Sequence, residues 1–456
     1  MRTLSASFAL LFCAVRCAAC ATLTTPPLVP PPPPSPPSSS PQPAARRAPG
    51  ASRDAVASAA TRRFMGPRLP VGSANHAARR YGHAMPEQQS SAPVAVYGAT
   101  GYTGKLVVAE LRRRGLEVVV SGRSADSLAR VAADNGLPSS AVRPAPADDE
   151  AALARVFEDC AAVIACAGPF LQVGEPVLRA AIASGTHYVD TTGEQPFIKL
   201  ALERYGVDAA RAGVAVVSGL GFDYLPGDLL CAVTAEGLGP LRELRITYAV
   251  QGFGATRGTM HSALLMMGGE EWEYRGGRLA KAPLRQPLGE TADIPGLGRV
   301  PVARYPSGEV VTVPRHVHTQ EIVSRITAAT FAPHPRAAKA VPALTPGIAA
   351  LLRTPLRGVL DKAIDRLPAG PPEDARRAAA YTLVADAVPA NGSAPRRGVL
   401  RGTDVYGITA VTTSHAAQLL SDPAYDRAGA LAPAEAFDAR PFLDALGEHG
   451  ISYEVA

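Results

Sequence analysis

The stretch VAVYGATGYTGKL, residues 94–106, constrains this 456-residue chain more than any other. A β-branched, apolar run leads into three glycines, and a lysine follows the last of them. A loop of this kind between strand and helix cradles a nucleoside triphosphate, cradles a dinucleotide, or merely turns the chain. The triphosphate cradle requires G-x-x-x-x-G-K-[S/T], with the final hydroxyl reserved for magnesium. Here Ala99 stands where the first glycine is needed, and Leu106 follows Lys105. Both tests fail. The dinucleotide reading uses Gly98, Gly101 and Gly104 for a tight turn, close backbone approach and helix–strand packing. With Ala99, Thr100, Tyr102 and Thr103 between them, they open a predicted helix whose N–H groups and dipole suit a diphosphate. Taken alone, the motif also fits a plain structural turn.

The next strand end adds information. NAD-binding folds place an acid about 20 residues on, for the ribose hydroxyls. This chain has Arg123 there, 19 residues beyond Gly104, within Ser121-Gly122-Arg123-Ser124. A guanidinium binds a 2′-phosphate bidentately, so the expected cofactor is NADP(H) rather than NAD(H). The plain alternative is a surface arginine after a strand. Tyr-x-x-x-Lys, the catalytic spacing of short-chain dehydrogenases, is absent from the sequence.

From Val94 onward, short β-rich runs alternate with amphipathic segments, the pattern of a doubly wound α/β domain with a parallel sheet. Strands are expected at 94–98, 116–122, 161–168, 186–190 and 214–219. Helices are expected at 104–115, around 124–136, at 174–185 and as one segment over 195–213. Beyond about residue 225 the pattern changes. Runs at 241–250, 308–317, 321–331, 381–388 and 397–411 read as strands of a second, largely antiparallel sheet, in an α+β domain over 226–410. An amphipathic helical stretch lies at 345–367. Residues 411–456 read as helical with a final strand, with a return to the first domain, over 93–225, as one reading of this segment.

The first 92 residues stand apart. They hold ten arginines, no lysine and two acids, net +8, which leaves −2 for the rest of the chain. The overall +6 therefore belongs to the leader, and the folded part lacks the charge footprint of a nucleic-acid binder. An early Arg2, an apolar run from Leu4 to Val15 and Ala19-Cys20-Ala21 resemble a secretory signal, too short to span a bilayer. The proline-rich run 26–43 is expected to be polyproline or disordered. An organellar transit segment and a true start at Met85 are the other readings. Cys160, Cys166 and Cys231 form no disulfide framework and favour a reducing, cytoplasmic setting. A homodimer is left open.

CAGPF (166–170), GEPV (174–177), GTHYVD (185–190) and TGE (192–194) resemble the saccharopine dehydrogenase-like oxidoreductases. So do GFDYLPGD (221–228), RGT (257–259) and GTDVYGITA (402–410). The likeness covers roughly 94–455, and within the family it is nearest to the saccharopine dehydrogenase-like proteins and trans-acting enoyl reductases. It implies an NADP-type Rossmann domain, an α+β domain, and the nicotinamide in the cleft between them. Cys166, Ala167, Gly168, Pro169 and Phe170 would close over the cofactor. No residues here match a defined set for the glutamate and lysine portions of saccharopine.

Hydride transfer is the cofactor's chemistry; the protein supplies position and often a proton. His187 and Asp190, with Tyr188 and Glu194 nearby, are expected at a strand end facing the cleft. Asp190 is a candidate acid/base, or a helix cap. Tyr224 is a candidate proton donor. Asp223 reads as a substrate contact or a cap, and Arg257 and His261 as contacts for an acidic or acyl substrate or as structural groups. His316 and His318 alternate on an expected strand without a third metal ligand. Met266 and Met267 read as core. The sequence thus predicts NADP(H)-dependent reduction of a C=C or C=N bond in a small or acyl substrate. A non-catalytic NADP-binding sensor or scaffold is the rival.

Overall fold

The structure, a computed structural model, describes residues 92–283, 289–330, 354 and 356–456. The leader, with its signal, transit and Met85 readings, lies outside the described residues, as do residues 345–353 and 355 of the helical stretch expected at 345–367.

The first sheet begins with β1 (Val94–Tyr97) and continues through β2 (Val118–Gly122), β3 (Val142–Pro144), β4 (Ala162–Ala165), β5 (His187–Asp190) and β6 (Ala215–Val217). Between them run α1 (Tyr102–Arg113), α2 (Ala125–Asp134), α3 (Glu150–Phe157) and α4 (Phe170–Ala183), followed by α5 (Gln195–Arg204) and α6 (Gly206–Ala212). α7 (Leu225–Ala235) leaves the sheet for the second domain. That domain holds β7 (Leu241–Gln251), α8 (Arg257–Gly268), β8 (Trp272–Arg275), β9 (Arg278–Lys281), β10 (Thr291–Ile294) and β11 (Gly298–Arg304). After these come α9 (Glu309–Thr312), β12 (Glu321–Thr327), α10 (Leu356–Ile364), α11 (Glu373–Ala378), β13 (Ala380–Pro389) and β14 (Arg396–Thr403). α12 (Val405–Leu420), β15 (Gly429–Ala430), α13 (Pro433–Ala436), α14 (Ala439–Ala445) and β16 (Ser452–Val455) complete the chain.

The first sheet is parallel throughout, in the order β15-β6-β5-β4-β1-β2-β3. Strand order reverses between β1 and β4, which is where an open α/β sheet forms its ligand crevice. Both sheet faces are covered, so β1 is buried at every position. Val94 and Val96 point into one core, Ala95 and Tyr97 into the other, as the two-residue period of a strand demands. The first of these cores runs on without a break into the second sheet, through Leu244, Ile246, Leu383 and Leu400. That sheet runs β10-β11-β12-β7-β13-β14-β16, with β8 and β9 attached at β12. It is antiparallel except for the β12–β7 pair.

The C-terminal segment serves both sheets. α12 packs on α1, β4 and β5, and β15 adds a parallel strand beside β6. The final strand instead pairs with β14 of the second sheet.

Three expectations fail. Residues 308–317 form α9 and a short 3-10 turn rather than a strand. Residues 307–313 are buried continuously, so no alternation exists to distinguish strand from helix, and His316 and His318 share no strand face. The strand expected over 397–411 stops at Thr403, because Asp404 adopts φ 62° and accepts a hydrogen bond from the Gly407 N–H (2.7 Å), starting α12. The single helix expected over 195–213 is broken at Tyr205, which ends α5 and precedes α6. His316 bonds the buried Asp228 carboxylate, which also receives the Ala434 N–H (2.9 Å). Among the described residues no cluster of three or more His, Cys, Asp or Glu could hold a metal. No helix among them is long and apolar enough to cross a membrane.

Glu309 lies fully buried in α9 and accepts a hydrogen bond from the Tyr248 hydroxyl. Burial pushes its carboxyl up to about 8. Between the ordinary value of 4.5 and about 8, the unfolded chain gives up a proton that the fold retains, so stability falls as pH rises through that window. Glu309→Gln removes this loss. The variant's stability relative to the native chain should rise from pH 4.5 to pH 8 by at most about 1.4 kcal/mol per pH unit. Thermal melts across that range provide the check, and a difference independent of pH would contradict it.

Candidate functional site

The glycine turn sits at the carboxyl end of β1. The N–H groups of Gly98 and Ala99 bond the Ser121 carbonyl (2.9 and 3.2 Å), fastening the turn to the end of β2. Gly98 has φ +84°, and a Cβ there would lie 2.7 Å from the Ala167 nitrogen that follows β4. A Cβ on Gly104 would lie 2.2 Å from the Gly98 oxygen. Only glycine allows β1, α1 and the β4 turn to meet this closely. No side chain caps α1, whose N-terminal residue Gly101 is exposed, with Thr100 and Thr103 part-exposed beside it. Tyr102 behaves differently from its neighbours. Its hydroxyl donates to the Pro371 carbonyl (2.8 Å) and its ring meets Tyr406 edge-on at 5.4 Å, so its side chain seals the turn against the second domain.

Arg123 is exposed at the end of β2. The Ser121 hydroxyl is buried there without a hydrogen-bond partner among the described residues. Ser124 is occupied: it caps α2 by accepting the Ser127 N–H (3.4 Å).

A second group of residues lies at the carboxyl ends of β4, β5 and β6. Its organiser, Glu194, is fully buried. Its carboxylate accepts the N–H groups of Phe170 (2.8 Å) and Leu171 (2.9 Å) at the start of α4, and the Ser262 hydroxyl of α8 (2.7 Å). Ser262 also lies 3.5 Å from the Cβ position of Gly168. The next residue, Gln195, is equally buried. Its amide donates to the carbonyls of Ser307 (2.9 Å) and Trp272 (3.2 Å) and accepts the Trp272 N–H (2.8 Å). Cys166 lies on the same edge, with its thiol pushed up to about 12 by burial, so it is no thiolate nucleophile.

The expected catalytic set is redistributed. His187 opens β5 and therefore sits at the opposite edge of the sheet from Asp190, roughly 10 Å away at strand spacing. Its Nδ1 accepts the Ala215 N–H (3.0 Å) and its ring packs on Tyr425, so it does not face the cleft. Asp190 is fully buried and does not cap α5. Its Oδ1 accepts the N–H groups of Thr192 (3.0 Å) and Gly219 (2.8 Å), and burial raises its carboxyl to about 6. It shapes the loop and cannot touch a substrate. Tyr224 is also buried, and its hydroxyl donates to the Gly193 carbonyl (2.8 Å) rather than facing a ligand.

The expected substrate contacts divide in the same way. Arg257 donates to the Asp365 carbonyl (3.1 Å), and His261 bonds the carboxylates of Asp361 (3.0 Å) and Asp365 (3.1 Å). Both are turned toward α10 and its end. Met267 packs into the small apolar cluster between α8 and α10. Asp223 remains available. It caps nothing; its Oδ1 accepts the Tyr305 hydroxyl (3.0 Å), and Oδ2 lies 3.4 Å from the Cβ position of Gly193. It retains partial exposure, and burial still raises its carboxyl to about 6. Such a group holds or releases a proton near neutral pH.

The two groups, both at the carboxyl edge of the sheet, have the layout for one extended ligand. A diphosphate needs unclaimed N–H donors, which α1 offers, whereas α4 has its own carboxylate in that place. Arg123 and the unpartnered Ser121 hydroxyl lie on the β2 side, suited to a phosphorylated ribose. This is the arrangement of a dinucleotide-binding α/β domain joined to an α+β domain. Residues 94–217 match the family model described as the saccharopine dehydrogenase NADP binding domain. That stretch is similar to an NADP-binding domain, and the cofactor is NADP(H).

The chain is 35% identical over 161 residues to a saccharopine dehydrogenase-like oxidoreductase of Bos taurus, covering 32% of this chain and 38% of that protein. It is 36% identical over 146 residues to a lipid droplet localized protein of Caenorhabditis elegans, 30% of this chain and 34% of that one. A trans-acting enoyl reductase of Mycobacterium bovis is 33% identical over 141 residues, again 30% and 34%. The aligned stretch thus spans well under half the length of these relatives. A saccharopine dehydrogenase (L-Glu forming) of Saccharomyces cerevisiae shares the fold, with TM-score 0.54 and 13% identity over 80% of this chain and 100% of that one.

Gly104→Ala tests the turn directly. Pushing the Gly98 oxygen away should weaken NADPH binding by about tenfold or more. Gly447→Ala, where nothing lies within 4 Å of the new Cβ, should leave it unchanged. Titration calorimetry of both variants is the check.

Proposed function

We propose that this chain is an NADP(H)-dependent oxidoreductase that delivers hydride to a C=C or C=N bond of a small or acyl substrate. The observation that carries the reading is Asp223, a partly exposed carboxyl beside the loop after β5, supported by Tyr305 and raised to about 6. Bound NADPH supplies the hydride, and reduction then needs a proton at the neighbouring carbon or nitrogen. Asp223 gives up that proton from the oxygen not held by Tyr305. Tyr305 fixes the carboxyl's orientation. Tyr224 and Asp190 keep the loops carrying Asp223 and Gly193 in place through backbone bonds. The relatives' names, oxidoreductase and enoyl reductase, support the reaction class.

Cofactor preference is the first test. The native chain should bind NADPH more tightly than NADH, and Arg123→Ala should lose most of that preference, roughly 1–3 kcal/mol for a charge-assisted contact. Equal affinities in the native chain would refute the NADP assignment.

NADPH oxidation against a panel of α,β-unsaturated acyl compounds and cyclic imines tests the chemistry. With Asp223 as the acid, kcat/KM should fall as pH rises through about 6, where the proton is lost. Asp223→Asn should lower the rate by about 100-fold or more and flatten that limb of the profile. NADPH binding without turnover on any member would favour the sensor or scaffold reading instead.

A further inference from the structure

Of the two helix N-termini that flank the crevice between β1 and β4, α1 is uncapped and α4 is closed by a buried carboxylate from another loop. Nothing local requires that closure. Glu194 lies 24 residues beyond Phe170, and its third donor, Ser262, is a further 68 residues on. The carboxylate therefore joins a turn of the first domain to a helix of the second. If the 2′-phosphate lies near Arg123 and the diphosphate at α1, the remaining half of the cofactor extends over β4, to the turn Gly168–Phe170 that Glu194 holds. On the other side of the carboxylate, α8 follows β7 and belongs to the substrate domain.

We propose that Glu194 is a positioning residue that couples the nicotinamide side of the cofactor site to helix α8 of the substrate domain. The proposal rests on the NADP(H) reading above. Two donors on the carboxylate fix the height of the α4 turn, and the third sets α8 against it. Movement of the turn as the nicotinamide half binds is thereby transmitted to α8, and the substrate face is ordered only when the whole cofactor is present. Gln195 carries the same junction onward by gripping both backbone groups of Trp272. Trp272 is the only tryptophan in the chain, and Lys199 Nζ lies 4.4 Å from its ring centroid. Its fluorescence therefore reports on this junction.

The test compares NADPH with 2′,5′-ADP, which fills only the adenosine half of the site. Binding is read by calorimetry, and α8 order by amide exchange over 257–268 together with Trp272 emission. In the native chain NADPH should slow exchange in α8 and shift the emission, and 2′,5′-ADP should do neither. Ser262→Ala cuts only the link to α8. NADPH affinity should stay within about twofold while α8 protection is lost. Glu194→Gln places an amide NH2 against groups that are themselves donors. NADPH affinity should fall roughly tenfold with 2′,5′-ADP affinity unchanged. A merely structural Glu194 would weaken both ligands alike, and that result overturns the proposal. Full NADPH-induced protection of α8 in Ser262→Ala overturns it too, even where Glu194→Gln fails to fold. Failure of either ligand to bind the native chain removes the cofactor reading itself, and the coupling with it.

Discussion

The buried carboxylate of Glu194 is the interaction on which the relation between the two domains depends. A charged group taken wholly out of water is costly unless donors surround it. Here two backbone N–H groups and one hydroxyl do so, all at 2.7–2.9 Å. The same loop adds the Asp190 bonds to Thr192 and Gly219, the Thr192 hydroxyl to the Glu194 N–H, and Tyr224 to the Gly193 carbonyl. Gln195 then takes hold of Trp272 and Ser307. The run from Asp190, at the end of β5, to Gln195 thus joins both domains through polar contacts with strict geometry. Apolar packing alone would tolerate sliding; these contacts do not.

The same economy of donors explains where an anionic cofactor can sit. Helix N-termini attract negative charge, and those of α1 and α4 flank the crevice between β1 and β4. The fold fills one with its own carboxylate and leaves the other bare behind three glycines. The choice is made by tertiary structure, since the sequence at α4, with Pro169 before it, looks as receptive as that at α1. Exclusion at α4 and attraction at α1 therefore both favour α1 as the place for a diphosphate.

Much of the first domain was legible because its signals are local. Strand burial and helix periodicity are each read within one element, the glycine spacing and Arg123 within 30 residues, and five of the seven strands of the parallel sheet lie where expected; β3 and β15 are additions. The second sheet was harder to read. Residues 308–317 are apolar and β-branched, yet uniform burial removed the alternation that would have distinguished strand from helix. Asp404 stands three residues before Gly407, the spacing of a helix cap, but the β-like run leading into it masks that signal. His187 was misplaced for a different reason: a strand pattern shows which face a side chain takes, while the cleft edge follows from chain direction. Glu194 is expected near the cleft, but its task as a junction has no local signal, since its partners lie 24 and 68 residues away.

The distribution of charge at the carboxyl edge then narrows what the site can do. Arg257 and His261, the described cations nearest in sequence to the Ser262 contact, are drawn off by Asp361, Asp365 and the Asp365 carbonyl. Asp190 and Glu194 are committed to N–H and O–H donors. Asp223 alone combines partial exposure, a single fixed oxygen and a carboxyl raised toward neutrality. A carboxyl so placed gives a proton more readily than it stabilises a growing negative charge, because its ionised form repels one. The reduction proposed for this edge would therefore be best served where proton delivery accompanies hydride arrival, leaving little charge on the substrate at any stage.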